Sequence, residues 1–230
     1  MKKFCFLFLV PIFIGLTACH DDEEPEKKYS YRSCPNKHHP HKIDLGLPSG
    51  TLWACCNVGA SSPEGYGGYY AWGETEEKVR YDWENYKYCD GSAETCHDLG
   101  TNIIGSQYDV AHVKWSDSWQ MPNLDQFNEL YDNCTHTWVY SNGIYGCRYT
   151  GPNGGSIFIP FSGFKNESGF KDRDLQSVLW FGTKSDDSYA HSFEANSFTI
   201  VERMESITGY GFAIGNCGRY YGLSVRPVAK

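Results

Sequence analysis

Cys34 is followed by Pro35-Asn36-Lys37-His38-His39-Pro40-His41-Lys42. A thiol and three imidazoles, from Cys34, His38, His39 and His41, are donors that suit zinc or copper. The prolines bar regular structure and no second ligand cluster lies nearby in sequence. The expectation is therefore a His-rich polar linker that holds no metal and no cofactor. Glu74, Glu76 and Glu77 bring carboxylates together, as a glycosidase would need. No second acid cluster accompanies them, so they read as a charged loop after Trp72-Gly73. His112, His136 and His191 could each serve a Ser-His-Asp arrangement, yet no G-x-S-x-G nucleophile elbow occurs. Catalysis by a thiol needs a His partner in a recognisable arrangement, and none is evident. Asp186-Asp187 reads as an exposed turn rather than a calcium loop. The chain is not expected to be an enzyme.

The cysteines otherwise point to an oxidising compartment. Setting aside Cys5 and Cys19 leaves Cys34, Cys55, Cys56, Cys89, Cys96, Cys134, Cys147 and Cys217. An even set of this size admits 105 pairings. Cys89 and Cys96 flank a short loop with Asp90-Gly91 and are expected to join. Cys134 closes a helix facing the core, and Cys56 is its expected partner. Cys55 and Cys56 are adjacent, so in a strand they point to opposite faces and need different partners.

These groups must be positioned by a sheet with one helical pair. Ser106 and Asp109 form an S-x-x-D capping box ahead of Tyr108, Ala111 and Trp115 at helical spacing. Pro122 breaks the chain, and Asn123 can cap a second helix with Asp125 in its first turn. Leu124, Phe127, Tyr131 and Cys134 then form the buried stripe, leaving Asp125, Asn128, Glu129 and Asp132 to water. Asn142-Gly143 and Asn153-Gly154 are hairpin turns, which make Thr137 to Pro160 a three-stranded meander with Tyr145, Cys147 and Tyr149 on one face. Further strands are expected at 51–58, 69–72, 177–182, 189–195, 197–202, 210–215 and 223–228. Helices on an antiparallel sheet define an α+β class.

The net charge of −8 argues against nucleic acid as a partner. Aromatics make up 16% of the chain, which suits a turn-rich domain with rings in its core and on part of its surface. Lys2 and Lys3 precede an apolar run, Phe4 to Leu16, of signal-peptide length. Leu16-Thr17-Ala18-Cys19 resembles a bacterial lipobox, which implies cleavage before Cys19 and lipidation of its thiol. Acyl chains there would anchor the protein without a spanning segment. The acidic run His20 to Glu26 is a solvated tether and resembles the export signal of surface lipoproteins of Bacteroidetes. Residues 1–18 are thus a signal peptide, 19–42 a tether and 43–230 one domain, expected on the outer membrane facing outward.

Several blocks of that domain carry a further resemblance. They are Asp44 to Ala54 (DLGLPSGTLWA), Cys56 to Ala60 (CNVGA), Pro63 to Gly67, Tyr69 to Thr75 (YYAWGET), Trp119 to Pro122, Thr150 to Gly154, Ile157 to Pro160 and Gly222 to Val228 (GLSVRPV). Together they resemble the Fibrobacter succinogenes major paralogous domain, common in surface lipoproteins of gut Bacteroidetes. Gln120 stands where that family usually has Arg, and Leu179-Trp180-Phe181-Gly182 where it has Tyr-Trp-Ser-Ser. The resemblance implies a C-type-lectin-like fold, a twisted antiparallel sheet with two short helices and neighbouring termini. Calcium-dependent sugar binding on that fold needs Glu-Pro-Asn or Gln-Pro-Asp and then Trp-Asn-Asp. Glu24-Pro25-Glu26 and Trp115-Ser116-Asp117 are misplaced for this, so ligand binding is expected to be calcium-independent. Formylglycine-generating relatives use a thiol pair that binds copper, and adjacent Cys55 and Cys56 do not converge from a strand.

In diversified relatives on this fold the variable binding residues precede the last strand. Carried onto this chain, the ligand face covers Ser185 to Tyr221, with Asp186, Asp187, Tyr189, His191, Asn216, Arg219, Tyr220 and Tyr221 as contacts. Tyr and Arg offer large rigid area with a polar tip. The alternative place is the Glu64 to Arg80 loop. The expected function is non-catalytic recognition of a glycan or protein ligand by a lipid-anchored surface protein. The other reading is a structural part of an envelope or fimbrial assembly.

Overall fold

The computed structural model describes residues 34–35, 37–196 and 211–229. The signal segment, Cys19, the acidic run and the strand expected at 197–202 lie outside these residues. Among them, no helix is long and apolar enough to cross a membrane.

The first and last strands meet in one sheet. β1 (Lys42–Asp44) pairs antiparallel with β2 (Leu52–Ala54), which pairs on its other side with β11 (Val228–Ala229). The register sets Lys42 against Ala54 and Trp53 against Val228. β2 is shorter than the strand expected over 51–58, because Cys55 and Cys56 already bend out of it. The segment 69–72 likewise makes only a bridge, Tyr70 to Leu223.

Two further three-stranded antiparallel sheets complete the frame. β3 (Thr135–Ser141), β4 (Ile144–Thr150) and β5 (Ser156–Pro160) form the expected meander. Asn142 and Gly143 both take positive φ, 49° and 87°, the pair a type I′ hairpin turn requires. β6 (Phe164–Asn166) and β7 (Gly169–Lys171) are a small hairpin. β8 (Gln176–Lys184), β9 (Tyr189–Asn196) and β10 (Gly211–Gly218) form the third sheet, in the order β10-β9-β8. Mostly antiparallel sheets with two helices are the α+β class that the sequence predicts.

α1 (Val110–Trp115) is capped by Asp109 itself, whose buried carboxylate accepts from the N–H groups of Gly105, Ala111, His112 and Met121. The expected box with Ser106 is not formed; Ser106 instead donates to the Ile103 carbonyl. α2 (Leu124–Asn133) has the capping box of Asn123 with Gln126. Its buried stripe is Phe127, Leu130 and Cys134, with Tyr131 37% exposed. The helix is rotated slightly from the expected setting. Tyr131 stacks on His136 at 4.6 Å, and Glu129 leaves water to accept from the N–H and hydroxyl of Ser49.

Phe127 is the hub of the core. Its ring lies 4.0 Å from Phe193 and 5.6 Å from Phe181, with Trp53 and Tyr149 edge-on. Beside this cluster, the indole of Trp72 donates to the Phe181 carbonyl and that of Trp180 to the Tyr70 carbonyl. These two bonds tie the 69–72 segment to β8. Fully buried Arg226 donates to Asn57 Oδ1 and to the Ala54 and Phe158 carbonyls, joining β2 to β5. Burial lowers its pKa to about 10, opposed by neighbouring Cys56 and Cys55.

Candidate functional site

The predicted ligand region is only partly on the surface. The Asp186 carboxylate accepts from the N–H groups of Ser188 and Tyr189, which shapes the turn between β8 and β9. Asp187 pairs with Lys184 at 2.6 Å, and the same ammonium binds Asp98 at 2.7 Å. Tyr189 is exposed and pairs with Gly218; Asn216 is exposed and pairs with half-buried His191. Arg219 departs most from expectation. It is 0% exposed, stacks over Trp72, and donates to Tyr86, His97 and Asp187. A guanidinium must satisfy several donors at once when it leaves water. Here a phenol takes the Nε donor and two carbonyls take Nη1, while Nη2 is buried with no partner among the described residues, and the side chain joins segments rather than facing outward.

Tyr220 and Tyr221 are half-buried and stack on one another at 4.3 Å. Tyr220 also meets Trp83 at 4.6 Å, Trp83 meets Tyr86, Tyr86 meets Tyr88, and Tyr88 meets Tyr108 at 5.5 Å. Tyr221 meets Phe164 at the other end. The rings form one continuous belt from Tyr108 to Phe164. The short turn Trp83–Asn85 holds Trp83 in line, capped by the Asp82 carboxylate on the Asn85 N–H.

A groove of about 340 Å³ opens at the Tyr108 end of this belt, lined by Glu74, Thr75, Glu76, Lys87, Tyr88, Gln107 and Tyr108. It touches the end of the Glu64 to Arg80 loop, the alternative place read from the sequence. Both carboxylates in it are engaged. Glu74 accepts from the Lys78 ammonium and the Lys87 N–H at 2.8 Å, and Glu76 accepts from Lys114 at 3.1 Å. Lys87 lies 5.2 Å over the Tyr88 ring. Amides, ammonium groups and ring faces around a concave surface can hold hydroxyls and planar sugar or peptide faces. Lys87, Tyr88 and Gln107 are not marked in the sequence, and Tyr108 stands out there only as part of a helical stripe. No local motif marks them, because tertiary folding brings the two segments together.

A second grouping lies at the end of the tether. Cys34, His39, His41 and Cys55 place their donor atoms within 4.8 Å of one another. Cys34 Sγ is 3.5 Å from His39 Nδ1 and 3.3 Å from His41 Nδ1; Cys55 Sγ is 3.2 Å from His39 Nδ1 and 3.6 Å from His41 Nδ1. A hydrogen bond with the Cys56 thiol, the His41 N–H and the two imidazoles hold the Cys55 thiol down at about 4, against burial. The same bond, together with burial, pushes the Cys56 thiol up. Three of these residues stand out in the sequence by type and spacing, and Cys55 does not. The clue lay in the β1–β2 hairpin, whose register sets His41 beside Cys55.

Cys89 and Cys96 form the expected disulfide. Cys56 and Cys134 are not joined; the Cys56 thiol turns to the Ala60 carbonyl, and burial raises that of Cys134 to about 11. Among the described residues, no serine hydroxyl is hydrogen-bonded to the rings of His112, His136 or His191. The His136 ring stacks on Tyr131 and meets Phe212 edge-on. Comparison of the chain with known protein families, with curated proteins and with solved structures finds no match.

Proposed function

We propose that the chain is a lipid-anchored surface protein whose domain, of C-type-lectin-like fold, recognises a glycan or protein ligand without catalysis and without calcium. The observation that carries this reading is the aromatic belt from Tyr108 to Tyr221 with a polar groove at its end. Half-buried Trp83, Tyr88, Tyr108, Tyr220 and Tyr221 offer ring surface along the belt, buried Tyr86 holds them from within, and little side-chain entropy is lost on contact. The carboxylates and Gln107 beside them supply hydrogen bonds that select an orientation. Both carboxylates are paired with lysines, a state suited to accepting hydrogen bonds rather than delivering protons.

Support for the fold comes from the sequence blocks and their order. The first and last strands also flank β2, as neighbouring termini require. Support for the anchor comes from the residues around Cys19 and the acidic run after it. Two experiments test the reading. Protease shaving of intact cells should remove the domain; protection until the outer membrane is broken would contradict surface display. A glycan and protein array probed with the full chain in detergent should retain a ligand with calcium chelated. Failure to retain any member would count against recognition.

A further inference from the structure

We propose that Cys34, His39, His41 and Cys55 form a closed four-ligand zinc site that fastens the end of the tether to the sheet. The donor spacing suits a tetrahedral ion. The four sulfur–nitrogen separations are 3.5, 3.3, 3.2 and 3.6 Å. Zinc bonds of about 2.3 Å to sulfur and 2.0–2.1 Å to nitrogen, at tetrahedral angles, set sulfur–nitrogen edges of roughly 3.5 Å. Two thiolates with two neutral imidazoles are a structural zinc donor set, and four protein ligands leave no position open for chemistry.

The scaffold sets half of this site by backbone alone. The Cys55 N–H donates to the His41 carbonyl at 3.0 Å, continuing the β1–β2 ladder by one residue. The His41 N–H donates to Cys55 Sγ at 3.1 Å, the outer contact that steadies a metal-bound thiolate. His39 lies two residues before His41, and both rings bring Nδ1 to Cys34 and Cys55, whereas exposed His38 does not join the group. Cys34 then folds back to close the fourth corner. Buried His41 and Cys55 form the floor, and half-buried Cys34 and His39 the lid. The expected metal-free linker would be solvated; His41 near its end is instead 7% exposed, beside Cys55 where the β1–β2 ladder continues. The inference is independent of the ligand groove.

The full chain, purified in detergent without chelator, should carry one zinc by elemental analysis. Cobalt exchanged for it should show a sulfur-to-cobalt charge-transfer band and the strong visible bands of a tetrahedral ion. Zinc should fall to background in Cys55→Ser and in His39→Ala, and stay at one in His38→Ala and Cys217→Ser. His39 is half-buried, so His39→Ala tests the site even where Cys55→Ser fails to fold. Retention of zinc by His39→Ala, loss of it in His38→Ala, a different metal in the purified chain, no uptake on zinc dialysis, or a Cys34–Cys55 disulfide found by mass spectrometry would each overturn the proposal.

Discussion

The Arg219 guanidinium lies 4.9 Å over the Trp72 ring, fully buried, and donates to the Tyr86 hydroxyl at 2.9 Å. It also reaches the His97 and Asp187 carbonyls, so one side chain joins the Tyr86 turn, the Cys89–Cys96 loop and the β8–β9 turn. Arg219→Ala should leave those oxygens without a donor and open a cavity against Trp72. A loss of about 3 kcal/mol is expected in urea unfolding. Arg219→Lys should recover little, because an ammonium cannot stack and reach all three oxygens. Unchanged stability in both variants would show that this contact does not hold the loops.

Asp109 gathers four backbone N–H groups from three places along the chain. Asp109→Ala removes a helix cap and strands buried donors, with an expected loss of about 3 kcal/mol or more by urea unfolding. A change within about 0.5 kcal/mol would mean that water takes over the cap.

Burial raises the pKa of Glu194 on β9, partly offset by a hydrogen bond with Ser192. The folded chain therefore binds this proton more tightly than the unfolded chain. Its stabilising contribution is full below the ordinary glutamate value of 4.5 and is lost as pH rises through the raised folded value. Glu194→Gln, which cannot ionise, should match the parent in melting temperature near pH 4 and exceed it near pH 7. A gap that does not widen with pH would contradict the assignment.

Removing the metal should free the end of the tether. With a chelator present, trypsin should cut after Lys42 faster, while cutting after Lys171 on the β6–β7 hairpin keeps its rate. Equal acceleration at both would indicate general unfolding, and no acceleration would leave the tether docked without an ion.

The fold was legible where local chemistry decides it. Asn142-Gly143 fixed the β3–β4 turn, Asn123 fixed the start of α2, and Cys89 and Cys96 were close enough in sequence to be paired. It was less legible where tertiary partners decide. Asp109 became the cap because Gly105 and Met121 also donate to it. Tyr131 turned outward because His136 offered a stacking partner. Glu129 reached Ser49, eighty residues away in sequence. The candidate sites divide the same way. Cys34, His39 and His41 stood out by type and spacing, but Cys55 enters only through hairpin register. Tyr220 and Tyr221 were named as ligand contacts, yet the groove at the far end of their ring belt depends on Tyr88 and Tyr108 meeting across the fold.

The groove beside Tyr88 and Tyr108 is the proposed ligand site. The direct measurement is calorimetric titration of an array-selected ligand into the full chain and its Gln107→Ala and Tyr108→Ala variants, with melting temperatures in parallel. Affinity should fall about tenfold or more in each variant. Melting should stay near the parent value in Gln107→Ala, whose side chain is exposed. Full affinity in both variants, with binding lost instead in an Asp186→Ala, Tyr189→Ala double variant, would rule out the groove and move the site to the β8–β9 turn.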